Sequence, residues 1–284
     1  MPRVPPFHIS CPPNQGKATR WRWPDAQSIM KPLVSILIPR RWIADAVKSV
    51  LNRFDYRIVH SDRSEATGFD FAHDIRLLVQ RDSPACFDVG ANEGQSIDII
   101  RKIFKDPRIY AFEPSRESFR KLQSKCYGSE ALLHNFAFGS QNSREEFVNY
   151  EDSCLSSFLP LDDALENRFR DVKVKQRETV DVRTIDWFVQ QNRIDRIDLL
   201  KIDTQGYDLQ VLRGAKESLK RGLIDNVLVE LNFVKIYQNQ SDAHQIWEFL
   251  SENDIHLVDY YEKVRQNHTL GWCDALFTKR QKGE

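Results

Sequence analysis

From Cys86 onward, short apolar runs alternate with stretches of helical spacing, and this alternation most constrains the fold. Cys86-Phe87-Asp88-Val89-Gly90 reads as a strand ending in glycine. Ile97, Ile100 and Phe104 then recur at helical spacing, and Arg108–Phe112 reads as a second strand. Ser115 to Tyr127 carries an N-cap serine and reads as a helix, with Leu132–Phe138 as a third strand. Residues 145–183 are more extended, and a helix follows near Ile185–Val189. Ile197–Ile202 and Asn226–Leu231 continue the strands, separated by a helix through Leu209, Val211 and Leu212. A helix over 242–252 then leads to Ile255–Val258 and Ala275–Phe277. Strands and helices alternating at this length predict an α/β fold, a mostly parallel sheet covered on both faces.

The region before Cys86 is different. Residues 1–32 hold seven of the twelve prolines and five basic residues against the single acid Asp25, the pattern of a disordered tail. Residues 33–83 are expected to form a small helical cap, with helices near 42–51 and 70–79, and residues 84–284 the main domain. The 284 residues carry 41 Lys+Arg against 41 Asp+Glu, and this neutrality argues against a nucleic-acid binder. Five scattered cysteines lack C-x-x-C spacing, as expected of reduced thiols. No apolar run approaches the roughly 20 residues that span a bilayer. A cytoplasmic protein is expected.

In open α/β sheets ligands bind beyond the carboxyl ends of the strands. The first strand ends in Asp88-Val89-Gly90-Ala91-Asn92-Glu93-Gly94, where Gly90 and Gly94 permit a tight turn and close approach of a ligand. The second ends in Glu113, 25 residues after Asp88, placed to accept hydrogen bonds from ribose hydroxyls. The loop reads G-x-x-x-G, with Asn92 where a dinucleotide fingerprint has its middle glycine. Asp88 before it would repel a phosphate and favour a cation. S-adenosylmethionine, with a ribose, an ammonium and no phosphate, fits these charges better than a dinucleotide.

These residues carry a family resemblance. Phe87–Ser96 resembles the first motif of the FkbM-type methyltransferases, a class I S-adenosylmethionine-dependent family, and Tyr110–Pro114 resembles their ribose-binding strand. Asp198–Asp208 with Val211–Ala215 is similar to the family's most diagnostic segment, and Val229-Glu230, Ile236-Tyr237 and Trp272–Phe277 follow in order. The family commonly has Glu where this chain has Gln205. The resemblance covers roughly 84–280 and implies a Rossmann-like, seven-stranded sheet with an antiparallel last strand. It also implies methyl transfer, usually to a hydroxyl oxygen. It places Asp88, Gly90, Asn92 and Gly94 at the methionine end of the cofactor, Glu113 at the ribose, and Asn135 and Ala137 beside the adenine.

A hydroxyl acceptor gains from a general base. Asp203 and Glu230, at adjacent strand ends, are the candidates, ahead of Tyr237 and His134. Asp203 could instead cap the following helix, and Glu230 could be a buried acid paired with Lys or Arg. A loop over 153–157 could line the acceptor site. Asp203 and Asp274 are conceivable metal ligands, but no spacing requires a metal. Residues 31–52 resemble the opening of family 2 glycosyltransferases without the Asp-x-Asp motif. The expected acceptor is a small-molecule or glycan hydroxyl. A non-catalytic cofactor-binding scaffold and an NAD-dependent oxidoreductase are the alternatives.

Overall fold

The computed structural model describes residues 66–125, 131–162 and 172–280. The proline-rich tail, the helix expected near 42–51 and the glycosyltransferase-like segment all lie outside the described residues.

The β1 sequence Ala85–Val89 is buried at all five positions, as a strand covered on both faces must be. Its neighbours are β2 (Arg108–Phe112) and β7 (Leu199–Ile202), both parallel to it. With β3 (Ala131–His134), β8 (Asn226–Asn232), β9 (Ile255–Gln266) and β10 (Thr269–Lys279), they form a seven-stranded sheet in the order β3-β2-β1-β7-β8-β10-β9. The last strand, β10, lies between β8 and β9 and runs antiparallel to both. That is the expected sheet, with its antiparallel last strand.

Side chains along β1 alternate between the two faces. On one side Cys86 packs with Ile75 of α1 (Phe71–Leu78), Ile97, Ile100 and Ile103 of α2 (Gln95–Ile103), and Leu122 of α3 (Arg116–Ser124). On the other, Phe87 and Val89 pack with Phe188 of α4 (Ile185–Asn192), Leu209 and Leu212 of α5 (Asp208–Arg213) and Leu219 of α6 (Lys216–Lys220). Ile246 and Leu250 of α7 (Ala243–Glu252) complete that face. Helix α1 begins where expected, with the Asp70 carboxylate accepting from His73 N. Ile75 and Val79 belong to the same buried cluster as Ile97 and Leu276, so the described part of the expected cap packs on the main sheet. Among the described residues no helix is long and apolar enough to cross a membrane.

The expected third strand over 132–138 is two strands in two sheets. Beyond β3 the chain breaks at Asn135, and β4 (Ala137–Phe138) pairs instead with β6 (Val174–Arg183). With β5 (Ser143–Tyr150), antiparallel to β6, they form a second, three-stranded sheet. The break lets the Asn135 Nδ2 amide donate to the carbonyls of Glu113 (2.9 Å) and Pro114 (3.1 Å), groups no strand pairs with.

Candidate active site

Strands β1, β2 and β7 place their carboxyl ends side by side, so residues far apart in sequence meet there. The turn after β1 is built by backbone conformation. Gly90 (φ 81°), Asn92 (φ 46°) and Gly94 (φ 90°) all take the left-handed region. A Cβ on Gly90 would stand 1.9 Å from the Asp203 carbonyl oxygen, so β7 requires glycine there. Gly90→Ala is expected to destabilise the fold by about 2–3 kcal/mol, through the clash and the φ preference together. For a domain of this size that is a Tm loss of roughly 5–10 °C, readable by calorimetry.

The turn folds over Glu113, at the end of β2 and 5% exposed. Its Oε2 accepts from Asn92 N and its Oε1 from Ser115 N, both at 2.8 Å. Burial raises the carboxyl to about 7 against the pull of these two amides. Each oxygen keeps a further lone pair, so the group can still accept from two hydroxyls. Asn92 Oδ1 is a buried acceptor with no hydrogen-bond partner, while its Nδ2 donates to Cys154 Sγ at 3.6 Å. A buried carboxylate between two strand ends, beside an unsatisfied amide oxygen and a glycine turn, fits a ribose-bearing ligand.

Asp88 is completely buried, and Lys201 Nζ lies 3.1 Å from its Oδ1. The two residues are register partners on β1 and β7. Lys201 also donates to the Gly90 carbonyl (3.3 Å) and stands 3.6 Å from Asp203 Oδ2. The cation that the position of Asp88 called for is therefore a side chain of the chain itself. Asp88 acts on the turn through Lys201 and presents no surface to a ligand. Burial raises the Asp88 carboxyl, and Lys201 opposes that rise. Of the residues expected beside the adenine, Asn135 is exposed and locks the Glu113-Pro114 carbonyls, whereas Ala137 is buried within β4.

Asp203 and Glu230 are both half-buried at their strand ends, and their environments differ. Asp203 Oδ1 accepts from Gln205 Nε2 at 2.7 Å, and its Oδ2 faces Lys201. It does not cap the helix that follows: the N-cap of α5 is Tyr207, which makes no side-chain cap hydrogen bond, and Asp208, the first helical residue, accepts back from the loop amides Thr204 N (2.9 Å) and Gly206 N (3.1 Å). Among the described residues Glu230 is not paired with Lys or Arg. Its hydrogen-bond partner is Asn232 Nδ2 at 3.0 Å, and its register partner on β10 is another acid, Asp274. Burial first, then the charges of Asp203 and Asp208, pushes the Glu230 carboxyl well up. Asp274 rises to about 7, again mainly by burial. Glu230 is thus pushed towards its neutral form, whereas Asp203 is met by donors.

Of the remaining candidates, Tyr237 lies beside this pair and His134 stands apart from it, at the end of β3. Tyr237 is fully buried and donates towards Gln205 Oε1 (2.9 Å) and the Leu155 carbonyl (3.1 Å). His134 stacks on Phe112 at 5.0 Å, and burial lowers its pKa. The 153–157 loop reaches the site: Ser157 Oγ donates to the Gln205 carbonyl at 2.8 Å. Among the described residues no group of three or more His, Cys, Asp or Glu could hold a metal ion. A separate cleft of about 290 Å³, lined by Arg81, Arg108, Arg193 and Arg196, opens near the amino end of β1 and contains none of the strand-end groups. Lys201 and Asn232 are not singled out by the sequence, and Gln205 stands out there only as a departure from the family's usual Glu. A lysine inside the otherwise apolar run 197–202 was the available signal.

The sheet order, with the antiparallel last strand inserted between β8 and β9, is that of a class I methyltransferase fold. The family model described as the methyltransferase FkbM domain matches residues 88–257. The chain belongs to the FkbM methyltransferases. It is similar to the hexuronic acid methyltransferase AglP of Haloferax volcanii, 22% identical over 160 residues that cover 56% of this chain and 61% of AglP. It is also similar to the 2-O-methyltransferase NoeI of Sinorhizobium fredii, 20% identical over 64% of this chain and 76% of NoeI. The crystal structure of an FkbM methyltransferase from Methylobacillus flagellatus superposes with a TM-score of 0.43 at 18% identity, covering 78% of this chain and 48% of that one. The matched region thus spans less than two thirds of AglP and about half of the Methylobacillus protein.

Proposed function

We propose that this protein transfers a methyl group from S-adenosylmethionine to a hydroxyl oxygen of a sugar, glycan or secondary-metabolite acceptor. The observation that carries this reading is the juxtaposition of two carboxyl environments. Glu113, cradled by the β1 turn, is suited to ribose hydroxyls, and the half-exposed Asp203 stands at the end of the next strand but one. When bound, the cofactor supplies an electrophilic methyl on a sulfonium, open to in-line displacement. Asn92, Gly90 and Gly94 shape its seat, and Lys201 holds the Gly90 carbonyl and both flanking acids in place. Asp203 takes the proton of the acceptor hydroxyl as the methyl–oxygen bond forms. Glu230, protonated, serves as a hydrogen-bonding group beside it. A sugar acceptor is supported by the relatives named for hexuronic acid and for 2-O-methylation.

Tritiated-methyl transfer to a panel of hexuronic acid and neutral hexose methyl glycosides tests the reading. Asp203→Asn is expected to lower kcat by about 10²–10⁴-fold, the usual worth of a positioned base, while S-adenosylhomocysteine affinity stays within about twofold. Glu230→Gln is expected to change kcat far less, because it replaces a protonated carboxyl by a neutral amide. Failure of the wild type to bind either S-adenosylmethionine or S-adenosylhomocysteine would sink the proposal.

A further inference from the structure

One residue beside the proposed base is held more rigidly than its place in a loop requires. Gln205 has φ 55°, a left-handed conformation natural to glycine but not to glutamine. Its backbone is pinned on both sides. The Asp208 carboxylate accepts from Thr204 N and from Gly206 N, and the buried Ser157 hydroxyl donates to the Gln205 carbonyl. Both ends of its side-chain amide are used as well. Tyr237 OH donates to Oε1 at 2.9 Å, and Nε2 donates to Asp203 Oδ1 at 2.7 Å. Strained backbone conformations kept by surrounding contacts concentrate at functional sites.

We propose that Gln205 is a positioning residue: its amide, clamped between Tyr237 and Asp203, fixes the Asp203 carboxylate so that Oδ1 is held by Nε2 and Oδ2 by Lys201. An amide suits this place because it accepts at one end and donates at the other. Asp203, with 38% of its side chain exposed, would otherwise be free to rotate. The clamp also offsets the acids around it, since Glu230 and Asp274 face the same space and Lys201 is shared with Asp88. Orientation of a reacting group is worth large rate factors, so a loosened Asp203 would act as a poorer base even with the cofactor bound. The catalytic consequence rests on Asp203 being the base. The clamp itself does not.

Gln205→Glu is the discriminating substitution, because it keeps the side-chain volume and an acceptor for Tyr237 while removing the donor to Asp203. Gln205→Leu removes both. The full chain, labelled with ¹³C at aspartate carboxyls and assigned with Asp203→Asn, is titrated by NMR. Affinity for S-adenosylhomocysteine and the pH profile of methyl transfer to the glycoside panel are measured in parallel. The Asp203 midpoint is expected to rise by about one pH unit in Gln205→Leu and by more in Gln205→Glu, where a second carboxylate adds repulsion. The acidic limb of the rate profile should move with it, with kcat down at least tenfold and cofactor affinity within about threefold. An Asp203 titration unmoved in both variants would overturn the proposal, as would loss of thermal stability alone with an unchanged pH profile. If the wild type binds no S-adenosylhomocysteine, the methyltransferase reading falls, and the NMR titration still decides whether Gln205 governs Asp203.

Discussion

Replacing Lys201 by methionine is expected to destabilise the fold by about 3–5 kcal/mol, because it leaves the wholly buried Asp88 without its counter-charge. At roughly 2–4 °C per kcal/mol for a domain of this size, the Tm should fall by about 10 °C or more. The loss should depend on pH in a definite direction. The Asp88 carboxyl already lies above its ordinary value, and without Lys201 it rises further. The native state then binds more protons than the unfolded chain. The stabilisation from protonated Asp88 is therefore present at low pH and lost as pH rises through the native value. Lys201→Met should be closer to the wild type at pH 5 than at pH 8. The double variant Asp88→Asn, Lys201→Met should recover much of the stability, because neither buried charge remains. Denaturant unfolding at several pH values checks both expectations, and a pH-independent loss would contradict the ion-pair account.

Glu113→Ala should weaken binding of S-adenosylhomocysteine about 100-fold by calorimetry. Two hydrogen bonds to a charged acceptor, at about 1.5 kcal/mol each, sum to about 3 kcal/mol. The substitution also strips the Asn92 and Ser115 amides of their acceptor, so a measurable Tm loss should accompany it. In the wild type, affinity should tighten between pH 6 and 8. The carboxyl lies at about 7, and its ionised form is the stronger acceptor for hydroxyl donors. The same rise has the opposite sign for folding. Stability contributed by protonated Glu113 is present below its unfolded value and lost as pH passes about 7. Affinity that is flat across this range would remove Glu113 from the ribose site.

Most of the sheet was legible because a strand buried on both faces and an amphipathic helix leave local signatures. The glycine turn, Glu113 and the Ser115 cap could be read from a few residues each, because the chemistry of those positions is set by their immediate neighbours. The third strand was misread as continuous. Ala131–His134 and Ala137–Phe138 are both apolar enough for a strand, and only their partners, β2 and β6, separate them. The role of Asp88 was half legible: its charge calls for a cation, but the cation is Lys201, 113 residues further along the chain. The alternatives for Asp203 and Glu230 could not be decided from spacing, since the helix after Thr204 begins only at Asp208 with Tyr207 as its N-cap, and Glu230 meets an acid on β10.

The sequence by itself determined the α/β class, the family, the turn after β1 and the acids at the strand ends. These follow from periodicity and from residue types that act within a few positions of one another. Only the tertiary structure decided which of those acids meets a counter-charge, which is pushed towards its neutral form by burial and neighbouring acids, and which is held by an amide. Parallel strands that are neighbours in the sheet are distant in the chain. The pairings of Asp88 with Lys201 and of Glu230 with Asp274 exist only once β7 lies beside β1 and β10 beside β8. The charge state of a buried carboxyl depends on those neighbours and on burial, neither of which is a property of the local sequence.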